Sequence, residues 1–304
     1  MLGSIQDNDI KLLRMFHVIA RCGGFSAAQA QLNLSQSAIS TQMAQLEARM
    51  GGRLCERGRG IFKLTNHGRA VIRASEKLFG VLEDFRTDVA ESQEQLVGEL
   101  RLGLIDNSVT HDDPLIRNAI SRFVDEVPGA KVSIYVGGAV DLEQQVLDDR
   151  LHIAIGLFYH ELETLEYSRL VEEKHMLYCA KAHEFFELRD DDISEKMLMS
   201  ARYVSWGYGE GQPGWQPPFS FNVMASSSHV EGAAYLILTG SYVGYLPTHY
   251  AQFWVDKGVM RPVQPEKTLR ATRFSLVRRK SARISRLMQA FLSHFSIDID
   301  ASEA

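Results

Sequence analysis

The chain has 304 residues, of which 45% are hydrophobic and 23% charged, so it can form two or three folded globular domains. It has no apolar run long enough for a transmembrane helix and no signal-peptide pattern, so we expect a cytoplasmic protein with no membrane partner. Its three cysteines are far apart and lack metal-ligand spacing, which predicts buried thiols and no metal site.

The net charge of −5 conceals an asymmetry along the chain. Residues 1–75 hold ten Lys/Arg and four Asp/Glu and therefore carry +6, which leaves −11 on the remainder. A basic segment attached to an acidic body favours a polyanion that binds at one end only.

A first helix is predicted from a cap at Asn8 or Asp9 to about Arg21, where Gly23-Gly24 stops it. The next stretch, FSAAQAQLNLSQSAISTQMAQLEARM over residues 25–50, predicts two short helices joined by a tight turn. Ser26 and Ser35 are their predicted N-caps.

The second helix of this pair has two contrasting faces. Apolar residues at steps of four, three and four predict one buried face, formed by Ile39, Met43, Leu46 and Met50. The opposite face carries short or amide side chains that can approach base edges in a major groove, namely Gln36, Ser37, Ser40, Thr41 and Gln42. The alternative is a capped, solvated helix in an all-α domain.

Residues 53–69, RLCERGRGIFKLTNHGR, predict a small hairpin, or wing, beside the three helices. Arg57, Arg59 and Lys63 flank its glycine turn and, together with Arg53, suit phosphates or a minor groove. A solvated basic loop is the alternative, but the position directly after a helix-turn-helix favours DNA.

Thr65 is predicted to cap a long helix over roughly residues 66–95. Heptad spacing relates Val71, Leu78, Leu82, Phe85 and Val89, with Ser75 and Ser92 as polar interruptions. We expect this seam to pair with a second copy of the helix, although packing on its own body is the alternative.

From Gly98 onwards strands and helices alternate, which predicts two α/β lobes with parallel strands and right-handed crossovers. The predicted strands are 100–105, 131–136, 152–157, 175–180, 203–205, 221–225, 241–245, 259–263 and 272–279. The predicted helices are 114–127, 142–149, 192–199, 230–239, 248–257 and 285–295. The last strand and helix are expected to return to the first lobe, so that the chain crosses between lobes twice.

The run from Phe16 to Arg69, with its SQSAIS core, the following QLE, the Gly-Arg-Leu and the later LT..G, resembles the LysR-type transcriptional regulators, and the resemblance extends over the whole chain. It implies an N-terminal all-α winged helix-turn-helix domain (1–65), a dimerising linker helix (66–95) and a C-terminal α/β, two-lobed, periplasmic-binding-protein-like effector domain (96–304). Lobe 1 would comprise about 96–162 and 272–304, and lobe 2 about 163–271. The implied partners are double-stranded promoter DNA, further copies in a homodimer or homotetramer, a small-molecule effector and RNA polymerase.

The chain departs from the common family pattern where Thr41 replaces an Arg and Ser37 replaces a Pro. Because Thr41 cannot make the bidentate contact of Arg to guanine, several weaker polar contacts are expected instead. The predicted DNA contacts are Ser26, Ser35, Gln36, Ser37, Ser40, Thr41, Gln42, Arg53, Arg57, Arg59 and Lys63. Gln36→Ala should relax sequence preference by about 1–3 kcal/mol, and Arg59→Ala should weaken binding to all DNA.

Ligands of open parallel sheets bind beyond the carboxyl ends of the strands, so the loops there are the predicted effector contacts. They are Asp106, Asn107, Ser108, Gly138, Phe158, Tyr159, Ser205, Trp206, Ser228, His229, Pro247 and Thr248. The helix start after His229 favours an anion, whereas Asp106 would repel a carboxylate but could bind an amine or hydroxyl. Trp206 is expected to be a wall of the cleft. An organic acid or aromatic metabolite is the expected effector.

The sequence disfavours two other classes of protein. An enzyme is disfavoured because the chain lacks a GxGxxG after a strand, a phosphate loop, a GxSxG elbow and a paired-histidine zinc motif, so no catalytic residue and no cofactor are expected. A ligand-independent architectural DNA-binding protein is disfavoured by the large acidic body.

Overall fold

The computed structural model describes residues 4–58, 61–91, 96–206, 218–280 and 284–295. It divides into two compact units, Met1–Leu82 and Glu83–Ala304. In these described ranges no helix is both long and apolar enough to cross a membrane.

The first unit is a winged helix-turn-helix, as predicted. Its elements are α1 (Asp7–Cys22), α2 (Phe25–Leu32), α3 (Gln36–Met50), β1 (Cys55–Gly58), β2 (Ile61–Leu64) and the start of α4 (Asn66–Glu91). The strands β1 and β2 pair antiparallel as the wing. The helices enclose one core, in which Phe16, Ile39 and Met43 are fully buried.

Two helix caps are confirmed and two are wrong. Ser35 Oγ accepts from the Ala38 backbone N–H at 3.2 Å, and Thr65 Oγ1 accepts from that of Gly68 at 2.8 Å. The caps predicted at Asn8 or Asp9 and at Ser26 are wrong, because α1 begins after Gln6 and α2 begins after Gly24. Asp9 instead accepts from the Gln6 N–H at 2.9 Å from the third helical position.

Motif residues fix the wing to the helices. Glu47 of the QLE run accepts from the Leu54 N–H at 2.9 Å, and the Leu54 carbonyl accepts from the Thr65 N–H at 3.1 Å. A Cβ on Gly68 would lie 1.9 Å from that carbonyl oxygen. Only glycine therefore permits this approach of α4 to the residue that precedes the wing.

The described strands of the second unit form one nine-stranded sheet in the order β4-β3-β5-β11-β6-β9-β7-β8, with β10 also on β6. The strands are β3 (Gly98–Ile105), β4 (Ala130–Gly137), β5 (Ile153–Leu157), β6 (Leu165–Ala180), β7 (Arg202–Trp206), β8 (Asn222–Ser227), β9 (Val243–Pro247), β10 (Met260–Pro262) and β11 (Arg270–Arg279). The helices are α5 (Leu115–Glu126), α6 (Ala139–Leu147), α7 (Glu195–Ser200), α8 (Val230–Leu238), α9 (Thr248–Asp256), α10 (Pro265–Thr268) and α11 (Arg286–Leu292).

Two separate cores define two lobes in this unit. Lobe 1 is built on the parallel strands β3, β4 and β5 with α5, α6 and α11, and lobe 2 on the parallel strands β7, β8 and β9 with α7 to α9. Both parallel arrangements match the alternating pattern of the sequence.

Two long antiparallel strands join the lobes. Leu165, at the start of β6, is buried in the core of lobe 1, whereas Leu177 near its end is buried in lobe 2. Strand β11 pairs with β6 and with β5, so the chain crosses between the lobes twice, as predicted. The first ten residues of β6 were not predicted, because their mixed burial gives no clear alternation of apolar and polar residues.

Candidate functional sites

The exposed start of α3 is the first candidate site. Gln36, Ser37 and Thr41 are exposed, and Ser40 and Gln42 are partly exposed, while the opposite face of the helix is in the core. The side-chain amides of Gln36 and Gln42 bind nothing within the described part of the chain. Thr41 Oγ1 instead donates to the Ser37 carbonyl at 3.0 Å. The free amides can each donate and accept, as contact with a base edge requires.

Residues around α2 support this helix start. Gln29 Oε1 accepts from the Gln36 N–H at 3.2 Å, and Gln29 Nε2 donates to the Ser26 carbonyl at 3.3 Å. The Ser35 and Ser37 hydroxyls are 3.0 Å apart. Ser26 therefore helps to position α3 through Gln29.

The basic residues divide into free and structural groups. Arg53, just before β1, and Lys63, within β2, are exposed, and neither side chain has a partner in the described ranges. Arg57 belongs to β1, and Arg59 lies outside the described residues. Arg49, by contrast, binds the buried Asp9 through Nε at 2.9 Å, and this hydrogen bond is the main reason that the pKa of Asp9 is lowered.

The second candidate site is a cavity of about 520 Å³ in the second unit. One wall comprises residues 135–141, at the end of β4 and the start of α6. The other comprises the end of β8 and the turn into α8, namely Ser226, Ser227, Ser228 and His229. Two helix N-termini therefore face one cavity, which favours a negative ligand group. Asp141 in this lining is already bound by Tyr135 Oη at 2.7 Å and by Gln145 Nε2 at 2.9 Å.

Asp106 of lobe 1 contacts lobe 2 beside this cavity. Its Oδ2 accepts from the Val230 N–H at 2.7 Å and lies 3.6 Å from Nδ1 of His229. Burial raises the pKa of Asp106, against the opposing effects of the Val230 N–H and the His229 ring. The structure therefore brings together two predicted effector contacts, Asp106 and His229. Asp106, however, already binds the start of α8.

A buried polar cluster forms a second connection between the lobes. Glu173 on β6 lies 2.7 Å from Nε2 of His175 and 2.8 Å from Nε2 of His249 at the start of α9. Nδ1 of His249 lies 2.9 Å from Thr110 Oγ1 in the loop after β3. No group of three or more His, Cys, Asp or Glu that could hold a metal occurs in the part of the chain that the structure describes.

Only some of the other predicted effector contacts line the cavity. Gly138, Ser228 and His229 line the cavity, whereas Pro247 ends β9 and Thr248 begins α9 next to His249. Asn107 and Tyr159 each have a buried oxygen with no hydrogen-bond partner among the described residues, while Ser108 donates to the Ile105 carbonyl at 3.0 Å. Phe158 packs edge-on against Tyr167.

One expectation about this region is wrong, and one cluster was missed. Trp206 is only 2% exposed and belongs to the core of lobe 2, packed against His175, and Ser205 beside it is also buried. The missed residues are Glu173, His249 and Thr110. The available signal was the alternation of Glu173 and His175, which places both on one face of a strand.

The linker helix α4 changes character along its length. Val71 and Leu78 pack against the core of the first unit. Further along, Val81 is 49% and Phe85 65% exposed, although they are spaced one turn apart on one face. Asp84 accepts from Arg101 at 3.1 Å, which fixes this end of the helix to β3.

Comparison with known proteins gives consistent results for both parts of the chain. Residues 10–69 match the family model for bacterial regulatory helix-turn-helix proteins of the lysR family, and residues 93–296 match the LysR substrate binding domain. Over 299 residues, covering 97% of each chain, the protein is 41% identical to the HTH-type transcriptional activator BauR of Pseudomonas aeruginosa. It is 33% identical over 135 residues to the HTH-type transcriptional activator CmpR of a Synechocystis species, covering 44% of this chain and 41% of that one.

A solved structure shares the fold. Full-length CbnR, crystallised with its target DNA, matches 94% of this chain and 98% of its own with a TM-score of 0.66 and 19% sequence identity. At that identity the likeness shows the fold alone.

Proposed function

The chain belongs to the LysR family of bacterial transcriptional regulators, and we propose from this membership which of its parts bind DNA, a second copy and an effector. It is a DNA-binding regulator with a two-lobed domain for a small-molecule effector. The observation that carries this conclusion is the pair of family matches, at residues 10–69 and 93–296. We assign DNA binding to residues 1–65, dimerisation to 66–95 and effector sensing to 96–304.

We assign recognition of the operator sequence to the exposed start of α3. The free amides of Gln36 and Gln42 support this role, because an amide can bind adenine through two hydrogen bonds. The Thr41 hydroxyl donates within the helix, so Thr41 can offer a base its oxygen as an acceptor and its methyl group as a contact for a thymine methyl. Arg53 and Lys63, with Arg57 and Arg59, supply phosphate contacts.

We place the effector in the cavity between the start of α6 and the start of α8. The two helix N-termini and the hydroxyls of Ser226 and Ser228 support a small polar or aromatic metabolite with an acid group, whereas the Ser227 hydroxyl is already bound to the His229 backbone. The lobes that bound the cavity are joined by two strands, β6 and β11, so a ligand can change the angle between them.

We propose that two copies pair through the exposed face of α4 and that two such dimers form a tetramer. A dimer would present two recognition helices to an interrupted palindrome, because protein and operator would share a two-fold axis. A change in lobe angle would then alter which neighbouring site the second dimer binds. Contact with RNA polymerase is the proposed output.

Footprinting of the full-length protein on the DNA upstream of its own gene tests this proposal. The footprint should change when a stabilising metabolite is added, whereas an architectural DNA-binding protein would leave one footprint under every condition. A thermal-shift screen of the full chain identifies the metabolite, since a ligand at about 100 times its dissociation constant stabilises by about 2.7 kcal/mol. A screen of acids, amines and aromatics without any hit would contradict the sensor function.

A further inference from the structure

The contact between Asp106 and Val230 places one of the protein's own carboxylates at a helix start. Asp106 follows β3 of lobe 1, and Val230, 124 residues later, is the first residue of α8 in lobe 2. The 2.7 Å hydrogen bond between Asp106 Oδ2 and the Val230 N–H is the arrangement in which helix N-termini bind carboxylates and phosphates. The position is therefore an anion site that is occupied from within the chain.

This hydrogen bond satisfies the Val230 N–H at the helix start but only one of the two carboxylate oxygens of Asp106. Asp106 Oδ2 is bound, but Oδ1 is buried and has no hydrogen-bond partner in the part of the chain that is described. Burial also raises the pKa of Asp106, and the Val230 N–H and the His229 ring offset this effect only in part. A buried, unpaired oxygen opposes the closed contact, so a better-placed anion can displace it.

Room for such an anion lies directly beside the contact. The cavity of about 520 Å³ includes Ser226, Ser227, Ser228 and His229, and its lining contains no Lys or Arg. The backbone N–H groups of Glu231 and Gly232 have no acceptor in the described residues, and neither has the Ser228 hydroxyl. Donors for a second carboxylate oxygen are thus available at the same helix start.

We propose that Asp106 is an internal carboxylate that occupies the anion position of α8 in the effector-free protein, and that the effector carries a carboxylate that takes its place. This inference rests on the proposed sensing function of the two-lobed domain. Exchange of the two carboxylates breaks the contact between Asp106 and α8, and it thereby couples effector binding to the arrangement of the lobes.

The internal carboxylate weakens the apparent affinity for the effector. Apparent affinity falls in proportion to the fraction of molecules whose site is open. If Asp106 occupies the site for about nine-tenths of the time, its removal strengthens carboxylate binding by about tenfold.

Calorimetric titration of the full-length protein tests the exchange. The probes are acetate, propionate, butyrate and benzoate, together with the matched primary amines. Asp106→Ala should bind the carboxylates about tenfold more tightly than the unmodified protein, with Asp106→Asn between the two. Asp113→Ala is the matched control, because Asp113 accepts from the Leu115 N–H at 2.9 Å at the start of α5 and lies outside the cavity lining. It should leave carboxylate affinity unchanged.

The outcomes separate this inference from the function on which it rests. Unchanged or weaker carboxylate binding in a folded Asp106→Ala protein, or no carboxylate binding by any variant, would overturn the exchange. Loss of amine binding in that variant would also overturn it, since Asp106 would then be a direct contact for a cation. A footprint that still responded to another metabolite would leave the sensor function intact.

Discussion

Nε2 of His249 lies 2.8 Å from Oε1 of Glu173, which places an imidazole from the start of α9 against a carboxylate on the connecting strand β6. Glu173 is only 2% exposed, and its other oxygen lies 2.7 Å from Nε2 of His175. His249 also reaches Thr110 of lobe 1. One buried charge therefore holds both lobes to the strand that joins them.

The Glu173 cluster predicts a component of stability that acid removes. Burial alone would raise the pKa of Glu173, but hydrogen bonds from His175 and His249 outweigh it and hold the pKa at about 2, below the ordinary 4.5. Because the folded-state pKa is the lower one, the stabilisation is complete above about pH 4.5 and is lost as the pH falls towards 2. The loss should be on the order of 3 kcal/mol in the free energy of unfolding.

Urea unfolding of Glu173→Gln across this pH range measures that component. The variant should be less stable at neutral pH and should lose less stability on acidification. Glu172→Gln is the matched control, because Glu172 precedes Glu173 in the chain and its side chain is 61% exposed. Equal acid sensitivity in the two variants would contradict the role of Glu173.

A second prediction concerns the glycine at the start of α4. A Cβ at position 68 would lie 1.9 Å from the Leu54 carbonyl oxygen, so Gly68→Ala must displace α4 from the residue before the wing. We expect a loss of about 1–3 kcal/mol in the free energy of unfolding, as overpacking generally costs. Gly138→Ala is the control, because a Cβ there meets nothing within 4 Å and φ is −76°. If both variants unfold at the same urea concentration, the approach of Gly68 to the Leu54 carbonyl does not exclude a Cβ.

Local pattern and long-range contact explain what sequence could and could not predict. The buried face of α3 follows from the spacing of Ile39, Met43 and Leu46, because helical periodicity is a local property. The pairing of Glu173 with His249 depends on how β6 and α9 pack, and no spacing in the chain encodes it. The expectation for Trp206 is wrong for a similar reason. The glycines at positions 207, 209 and 211 are typical of a loop, but the burial of Trp206 depends on how β7, which it ends, packs in the core of lobe 2.

A third prediction separates sequence recognition from phosphate binding. Gln36→Ala should cost about 1–3 kcal/mol on the operator and little on unrelated DNA, because it removes a contact to base edges. Lys63→Ala should weaken binding to both DNAs similarly and reduce the salt dependence of binding. Gln45→Ala controls for loss of an exposed α3 amide in the second half of the helix. Fluorescence anisotropy at several salt concentrations distinguishes these effects, and equal losses on both DNAs for Gln36→Ala would contradict its role.

The exposed face of α4 predicts the assembly of the regulator. Phe85 is 65% and Val81 49% exposed, and two such side chains one turn apart form an apolar strip suited to a second helix. Phe85→Glu should therefore convert the dimer to monomers in sedimentation equilibrium and weaken binding to a two-half-site operator. Arg86→Glu introduces the same side chain next to it on a residue that is 77% exposed, and it should remain dimeric. If Phe85→Glu stays dimeric while folded, the exposed face of α4 is not the interface.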